Sequence, residues 1–448
     1  MSNLLLYNAA ILTIDPDDRT YEHGFICVQG NRIEAVGPSE ALPDLGDFAA
    51  YRKIDCCGKI IMPGMINTHC HMSMMAFRSL ADDVPDRLRR YLFPLESRAM
   101  NQELAVISAR YALAELLLGG VTTIYDAYFF EDDIAETVAA SGMRGVLSET
   151  VMNIPTPNAA TPYGGISYTR GFIEKWKGHS RIVPAVNCHA IYTNDTEHLQ
   201  ECHRIAAEHD VTMCMHVAEM DFEQQKCLDE YGLTPVGYLN HIGILDERFL
   251  AAHAIHVDDH DLEIMAGCGV NVSYNAGSNA KSAKGVAPVA KMVAKGIPVS
   301  LGTDGPMSGN TIDIVSQLPL VGKIQKLFQN DRSLFPPSEI LRMATINGAK
   351  ALRLDHLVGS LERGKRADIV IFETDSVNMN PIYDYNAVIV YSANPANVWA
   401  TIVDGEILME NRTLLTMDFE LIKQNLLSSR TKIETVARTL EREIAANG

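Results

Sequence analysis

Two histidines separated by one residue close an apolar run early in the chain, Pro63-Gly64-Met65-Ile66-Asn67-Thr68-His69-Cys70-His71. Residues two apart on a strand face the same way, so both imidazoles would leave one end of one element side by side. Imidazoles so placed can hold one divalent metal ion. An isolated His-x-His is more often two polar residues ending a strand. Here, further residues of metal-binding type stand at the ends of later apolar runs: His189, His216 and Glu219 in His216-Val-Ala-Glu219, His253, and Asp304 in Gly302-Thr303-Asp304. Each alone has an ordinary explanation, such as a core histidine or a helix-capping aspartate. Their recurrence at the same end of successive runs points to a site. His256 and His260 fall beyond the sixth run and read as loop or helix-start residues. His179, His198, His203 and His209 read as solvated residues on helices.

The runs that would position these residues are 60–67, 121–126, 144–148, 182–187, 212–216, 250–253, 270–274 and 298–302. Helix-compatible segments separate them, among them 102–118, 132–141, 196–209, 221–231 and 286–295. Strand-helix alternation repeated eight times predicts an α/β protein with a (β/α)8, TIM-like barrel, whose chemistry sits at the C-terminal ends of the strands. A doubly wound open sheet is the alternative. No Gly-x-Gly-x-x-Gly turn follows any of the runs, which removes its commonest nucleotide-binding form. Short β-type segments flank the barrel: 4–14, 25–29 and 32–36, with Gly30-Asn31 as a hairpin turn, then 368–372, 387–391 and 398–403, with Asp404-Gly405 as a turn. The expected division is a small β-sandwich built from both termini (1–60 and 367–417) around a barrel (61–366), with a helical appendage over 418–448.

The 448 residues carry 38 basic and 56 acidic side chains, a formal charge of -18, which argues against nucleic acid or an anionic membrane as the main partner. No apolar run approaches the roughly 18 to 20 residues that span a bilayer. The first residues, Met1-Ser2-Asn3-Leu4, lack the basic segment of a signal peptide. Nine cysteines without regular spacing fit a reducing compartment. These features predict a cytoplasmic protein.

The chain resembles the amidohydrolase superfamily, closest to its 5'-methylthioadenosine/S-adenosylhomocysteine deaminases and chlorohydrolase-like aminohydrolases. The resemblance rests on the run ending in His69-Cys-His71, Leu80-Ala-Asp-Asp83, His216-Val-Ala-Glu219, Ala252-His253, Ser278-Asn279-Ala-Lys281, Leu301-Gly-Thr-Asp304-Gly, and Gly359-Ser-Leu-Glu-Arg-Gly-Lys-Arg-Ala-Asp368. It implies that His69, His71, His216 and Asp304 bind one divalent metal, zinc in the usual case and Fe2+ or Mn2+ otherwise. Binuclear relatives carry a lysine at the end of strand four. Here Asn187-Cys188-His189 stands there, which implies a single ion.

The implied reaction is hydrolytic deamination of an amino-substituted nitrogen heterocycle, with hydroxide made available on the metal. Asp304 would take the proton of the attacking water. Glu219 would carry a proton to the ring nitrogen and the departing amine, contacting the substrate as it does so. His253 would orient the water or polarise the carbon under attack, and His189 would hydrogen-bond the substrate. Glu96 matches the ribose-binding glutamate of the nucleoside deaminases, and a carboxylate can accept from two adjacent hydroxyls. A purine nucleoside of the 5'-methylthioadenosine or adenosine type is therefore expected. The arginines with which S-adenosylhomocysteine-binding members dock a carboxylate are missing after strand three, where Ser148-Glu149-Thr150 stands. Tyr274 replaces a histidine common in relatives. A homo-oligomer is implied as well. Two other readings stay open: displacement of chloride or an amine from a triazine, pterin or other free heterocycle, and a catalytically silent barrel serving as an assembly module.

Overall fold

Eight parallel strands close into a barrel in the computed structural model, which describes residues 3–45, 48–84 and 86–446. They are β1 (Met65–Cys70), β2 (Val121–Tyr128), β3 (Arg144–Val151), β4 in two pieces (Ile182–Pro184 and Val186–Cys188), β5 (Met213–Val217), β6 (Phe249–His253), β7 (Asn271–Tyr274) and β8 (Val299–Leu301). Each pairs in parallel with its neighbour in chain order. The ring closes between β8 and β1. There the hydroxyls of Thr68 and Ser300 share a hydrogen bond of 2.9 Å, and the Thr303 N–H donates to the His69 carbonyl at 3.0 Å. Parallel strands flanked by helices are covered on both faces. That is why the runs read as continuously apolar rather than alternating.

Helix starts follow local side-chain chemistry. Asn101 caps Gln102–Leu118 by accepting the Leu104 N–H at 3.0 Å, and Asp195 caps Thr196–His209 through the His198 N–H at 3.0 Å. The helix expected over 286–295 is shorter, Val289–Ala294, because Pro288 stands at its N-cap. Residues 282–288 are thereby left as an irregular loop after β7.

Both termini build one nine-stranded sheet. Its path runs Thr413–Leu414, Glu406–Glu410, Val398–Val403, Ile369–Phe372, Ile60–Pro63, Leu4–Leu12, Thr20–Gln29 and Arg32–Pro38, with Arg52–Asp55 beside Leu4–Leu12. Leu6, Ile26, Ile33, Ile369 and Ile402 share one apolar cluster drawn from both ends of the chain. Arg144, buried at the start of β3, joins barrel and sheet through Asp368 (3.2 Å) and Asp404 (2.9 Å).

Two sequence expectations change. The run 60–67 is two strands: Ile60–Pro63 pairs antiparallel with Ile369–Phe372 in the terminal sheet, and only Met65–Cys70 belongs to the barrel. Gly64 lies between them, where a Cβ would come within 2.2 Å of the Thr122 side chain. The segment 387–391 is not a strand but part of a helix, Tyr385–Tyr391. Its β-branched residues suit either state. Asp384 decides, because its carboxylate accepts the N–H groups of Asn386 and Ala387 at 2.9 and 3.2 Å.

Two helices, Phe419–Ser428 and Arg430–Ala446, end the chain. The second buries Ile433, Ala437 and Leu440 and packs on Phe93–Ala99, the short helix that carries Glu96. Among the described residues, no helix is long and apolar enough to cross a membrane.

Candidate active site

Five imidazoles converge at the C-terminal mouth of the barrel. The His69 ring centroid lies 4.7 Å from His71, 4.8 Å from His216 and 5.6 Å from His253. The His189 and His216 rings are 5.0 Å apart. Burial pushes every one of these imidazoles below the usual histidine range, His69 and His189 farthest. They are therefore neutral at pH 7, the form that lends a lone pair to a metal.

The second nitrogen of each ring is engaged outside the cluster. The His71 Nδ1–H donates to the Ala127 carbonyl and the His216 Nδ1–H to the His189 carbonyl, both at 2.7 Å. His253 Nδ1 bonds Asn279 Oδ1 at 2.7 Å, and His69 Nδ1 lies 3.9 Å from Cys214 Sγ. Such contacts set the tautomer and aim the other nitrogen inward. His69 Nε2 is buried with no hydrogen-bond partner, an arrangement whose cost a bound cation would relieve, whereas His253 Nε2, also without a hydrogen bond, faces Glu219 Oε1 at 3.7 Å.

Two carboxylates join the imidazoles. Asp304 follows β8 with φ +61°, held by the Ser278 hydroxyl on Oδ2 at 2.7 Å and the Gly305 N–H on Oδ1 at 2.6 Å. Its Oδ1 is 3.4 Å from His71 Nε2. Glu219 follows β5 through a turn in which Ala218 has φ +49°. The Glu223 carboxylate braces that turn, accepting the N–H groups of Ala218 and Glu219 at 3.1 and 2.9 Å. His253, at the end of β6, also has positive φ, +74°. Non-glycine residues rarely adopt this region, and such strain concentrates at functional positions. Burial would raise both acids, but the Lys284 ammonium, joined by His253 whenever that ring is protonated, outweighs it and holds Asp304 and Glu219 below the usual carboxylate range.

Among the described residues, ligand-type atoms fall into three overlapping groups: His69 with His216 and His253, His69 with His71 and Asp304, and Glu219 with His253 and Asp304, each spanning at most 4.8 Å. All share members, so they describe one centre. Three neutral imidazoles beside a carboxylate fit a divalent ion with an open position.

The pocket above this centre is lined by His71, His189, His216, Glu219 and Asp304 on one side and by Glu96, Phe93 and Tyr128 on another. His69 and His253 are fully buried beneath it. Glu96 is fully enclosed. Burial lifts its carboxyl to about 7 against the opposing pull of the Tyr128 hydroxyl, which donates to Oε1 at 2.5 Å. Every candidate residue named from the sequence thus lies at this mouth or under it.

Glu149 and Tyr274 do not line the pocket. Tyr274 is buried with its hydroxyl accepting from Gln325 Nε2 at 3.2 Å, so the phenol packs rather than shapes the wall. Glu149 lies inside the protein, accepting from Asn158 Nδ2 at 2.8 Å and from the Glu131 N–H at 3.3 Å. Burial lifts its carboxyl to about 8, so the folded chain keeps a proton that the unfolded chain loses near pH 4.5. Stability from this group is complete below pH 4.5 and is lost as pH rises through 8, at about 1.4 kcal/mol per pH unit as an upper bound. Glu149→Gln is therefore expected to flatten the decline in melting temperature between pH 5 and 8. An unchanged profile would show that Glu149 titrates normally.

Lys284 is the site residue that the sequence did not reveal. Its ammonium enters the pocket from the loop after β7 and bonds Glu219 Oε1, with Asp304 Oδ2 at 3.6 Å. Nearby Lys281, part of a recognised motif, instead reaches Asp82 Oδ1 at 2.6 Å and Asn310 Oδ1 at 3.1 Å across the rim.

The Amidohydrolase family pattern matches residues 60–408. A 5-methylthioadenosine/S-adenosylhomocysteine deaminase of Syntrophobacter fumaroxidans is 36% identical over 442 residues, covering 98% of this chain and 99% of its own. One of the same name from Thermoanaerobacter pseudethanolicus is 37% identical over 427 residues, 94% of this chain and 97% of its own. Among solved structures, a zinc-bound adenosine deaminase from Xanthomonas campestris superposes with a TM-score of 0.94 at 27% identity, covering 97% of this chain and 99% of that one. A zinc-complexed atrazine chlorohydrolase from Arthrobacter aurescens TC1 shares the fold, with a TM-score of 0.89 at 24% identity over 95% of this chain and all of that one. Matched along nearly its whole length by sequence and by shape, the chain belongs to the amidohydrolase family and is a hydrolytic enzyme.

Proposed function

We propose that the protein is a metal-dependent deaminase of purine nucleosides of the 5'-methylthioadenosine or adenosine type. The carrying observation is that one pocket holds both the imidazole-carboxylate centre and the enclosed Glu96. His69, His71, His216 and Asp304 would hold one divalent ion, with zinc the first choice from this donor set. Such an ion supplies Lewis acidity, lowering the pKa of a coordinated water towards neutrality.

The protein's own groups handle the protons. Water adds its oxygen to the amidine carbon, the C–N bond to the exocyclic amine breaks, and ammonia leaves. Of the two water protons, one ends on the ring nitrogen and the other on the departing amine. Asp304 accepts the first as the carbon is attacked. Glu219, ionised at rest, receives that proton and then the second one from the added hydroxyl, and delivers them in turn to the ring nitrogen and to the amine. His253, whose Nε2 lies 3.7 Å from Glu219 Oε1 and 4.0 Å from Asp304 Oδ2, accepts a hydrogen bond from the attacking water and so orients it. His189, held by the Thr193 hydroxyl at 3.0 Å, turns its other nitrogen to the substrate ring.

Glu96 supports a nucleoside over a free base. Leu88, Leu92, Phe129, Met152, Met220 and Phe222 give the wall an apolar portion that suits a 5'-alkylthio group, beside polar residues such as Asp82, Asp86, Thr150 and Ser308. Its cations are committed: Arg87 donates to the Met307 carbonyl at 2.9 Å and Lys284 to Glu219. Arg170 pairs with Glu201 outside the pocket. Among the described lining residues, Arg87 also faces Asp82 at 3.4 Å, so neither cation stands unpaired as a dock for the carboxylate of S-adenosylhomocysteine. The test is ammonia release from aminopurines, their nucleosides, S-adenosylhomocysteine, pterins and aminotriazines by the metal-loaded enzyme. Turnover of the triazines or pterins alone would favour the free-heterocycle reading, and turnover of none would reject deamination. With Glu96→Ala, KM for the nucleoside should rise by about 10- to 100-fold, while a free aminopurine is affected little.

A further inference from the structure

The loop after β7 sends one long cationic side chain inward. Gly285 turns the chain with φ +119°, and a Cβ there would lie 2.9 Å from the Ile255 side chain. The Lys284 N–H donates to the Asn279 carbonyl at 3.0 Å, and the Asn279 side chain also holds His253. Backbone geometry and packing therefore direct the Lys284 stem into the barrel mouth, where its side chain is only 10% exposed.

The ammonium meets Glu219 at Oε1, the same oxygen that lies 3.7 Å from His253 Nε2. It also lies 3.4 Å from the Ser278 hydroxyl, which itself donates to Asp304. We propose that Lys284 is a positioning residue that clamps Glu219 by Oε1, so that Oε2 alone is presented to the substrate ring nitrogen and then to the departing amine. This rests on the assignment of Glu219 as proton carrier. A carboxylate on a flexible side chain can offer either oxygen in several rotamers, and a proton must leave and return along one defined line. Anchoring one oxygen removes that freedom before substrate arrives. Every contact of the ammonium lies within the catalytic centre.

The decisive experiment is a mutant cycle read by ammonia release, metal stoichiometry and crystallography. Lys284→Met should lower kcat by about 30- to 100-fold with KM changed less than about threefold, as expected when a reacting group is misplaced by about 1 Å. One metal per chain should remain. Lys284→Arg should recover part of the loss. In a Glu219→Gln background, Lys284→Met should cost little more, because its effect runs through Glu219. A rise in KM with kcat intact, or a loss that multiplies that of Glu219→Gln, overturns the proposal in favour of direct substrate contact. If the native enzyme releases no ammonia from any substrate, deamination fails separately, and crystals of the metal-loaded protein still decide the clamp. Lys284→Met should then leave Glu219 in more than one rotamer, whereas a single unchanged rotamer refutes it.

Discussion

Glu219→Gln is expected to lower kcat by about 10³-fold while the protein keeps its full complement of metal. The substitution preserves size and leaves the turn after β5 intact, because Glu223 braces that turn through backbone N–H groups rather than through the Glu219 side chain. It removes the ability to take and give a proton, a function worth roughly 10² to 10⁴ in rate. The imidazoles assigned to the metal contact other partners, so metal stoichiometry should be unchanged. Steady-state ammonia release and metal analysis of the same preparation make the comparison. A variant retaining kcat within about tenfold of the native enzyme would move the proton-carrying role elsewhere, with Lys284, His253 and Asp304 the neighbouring titratable groups.

The asymmetry between what could and could not be read from the chain has a structural cause. His69, His71, His216 and His253 stand at strand ends, where a period of two and a repeated strand-helix rhythm locate residues that are far apart in sequence. Asp304 follows β8 by the same logic. Lys284 sits in an irregular loop with no period, so nothing local marks its direction. Only the turn at Gly285 and the packing against Ile255 aim it at Glu219. Glu149 and Tyr274 show the reverse. Glu149 lies two residues short of the end of β3 and Tyr274 ends β7, yet both side chains are turned away from the pocket. The split at Gly64 was hidden because both halves of 60–67 are apolar. It takes the antiparallel pairing of Ile60–Pro63 with Ile369–Phe372, some 300 residues away, to separate them. Likewise the β-branched run at 387–391 follows the capping carboxylate of Asp384 rather than its own composition.

Removing the metal is expected to abolish turnover and to loosen the mouth of the barrel, with both restored by one equivalent of zinc per chain. In the protein alone, His69 Nε2 is buried without a hydrogen-bond partner, and three imidazoles assigned as ligands face one carboxylate. A cation held by the folded state and not by the unfolded chain stabilises by about 3 to 4 kcal/mol at 100 to 1,000 times its dissociation constant, equivalent to a rise in melting temperature of roughly 3–4 °C for a chain of 448 residues. Chelation followed by titration with zinc, read by calorimetry and ammonia release, measures both effects. A requirement for two equivalents would contradict the single centre described by the overlapping ligand groups. Two substitutions then separate ligands from neighbours. His71 and His253 are both neutral and buried, but His71 Nε2 faces Asp304 at 3.4 Å while His253 lies closer to Glu219 than to Asp304. His71→Ala should therefore lose the metal and the zinc-dependent gain in melting temperature. His253→Ala should keep both and lose turnover alone. The opposite pattern would place the ion between His69, His216 and His253, and would make the water-orienting role of His253 untenable.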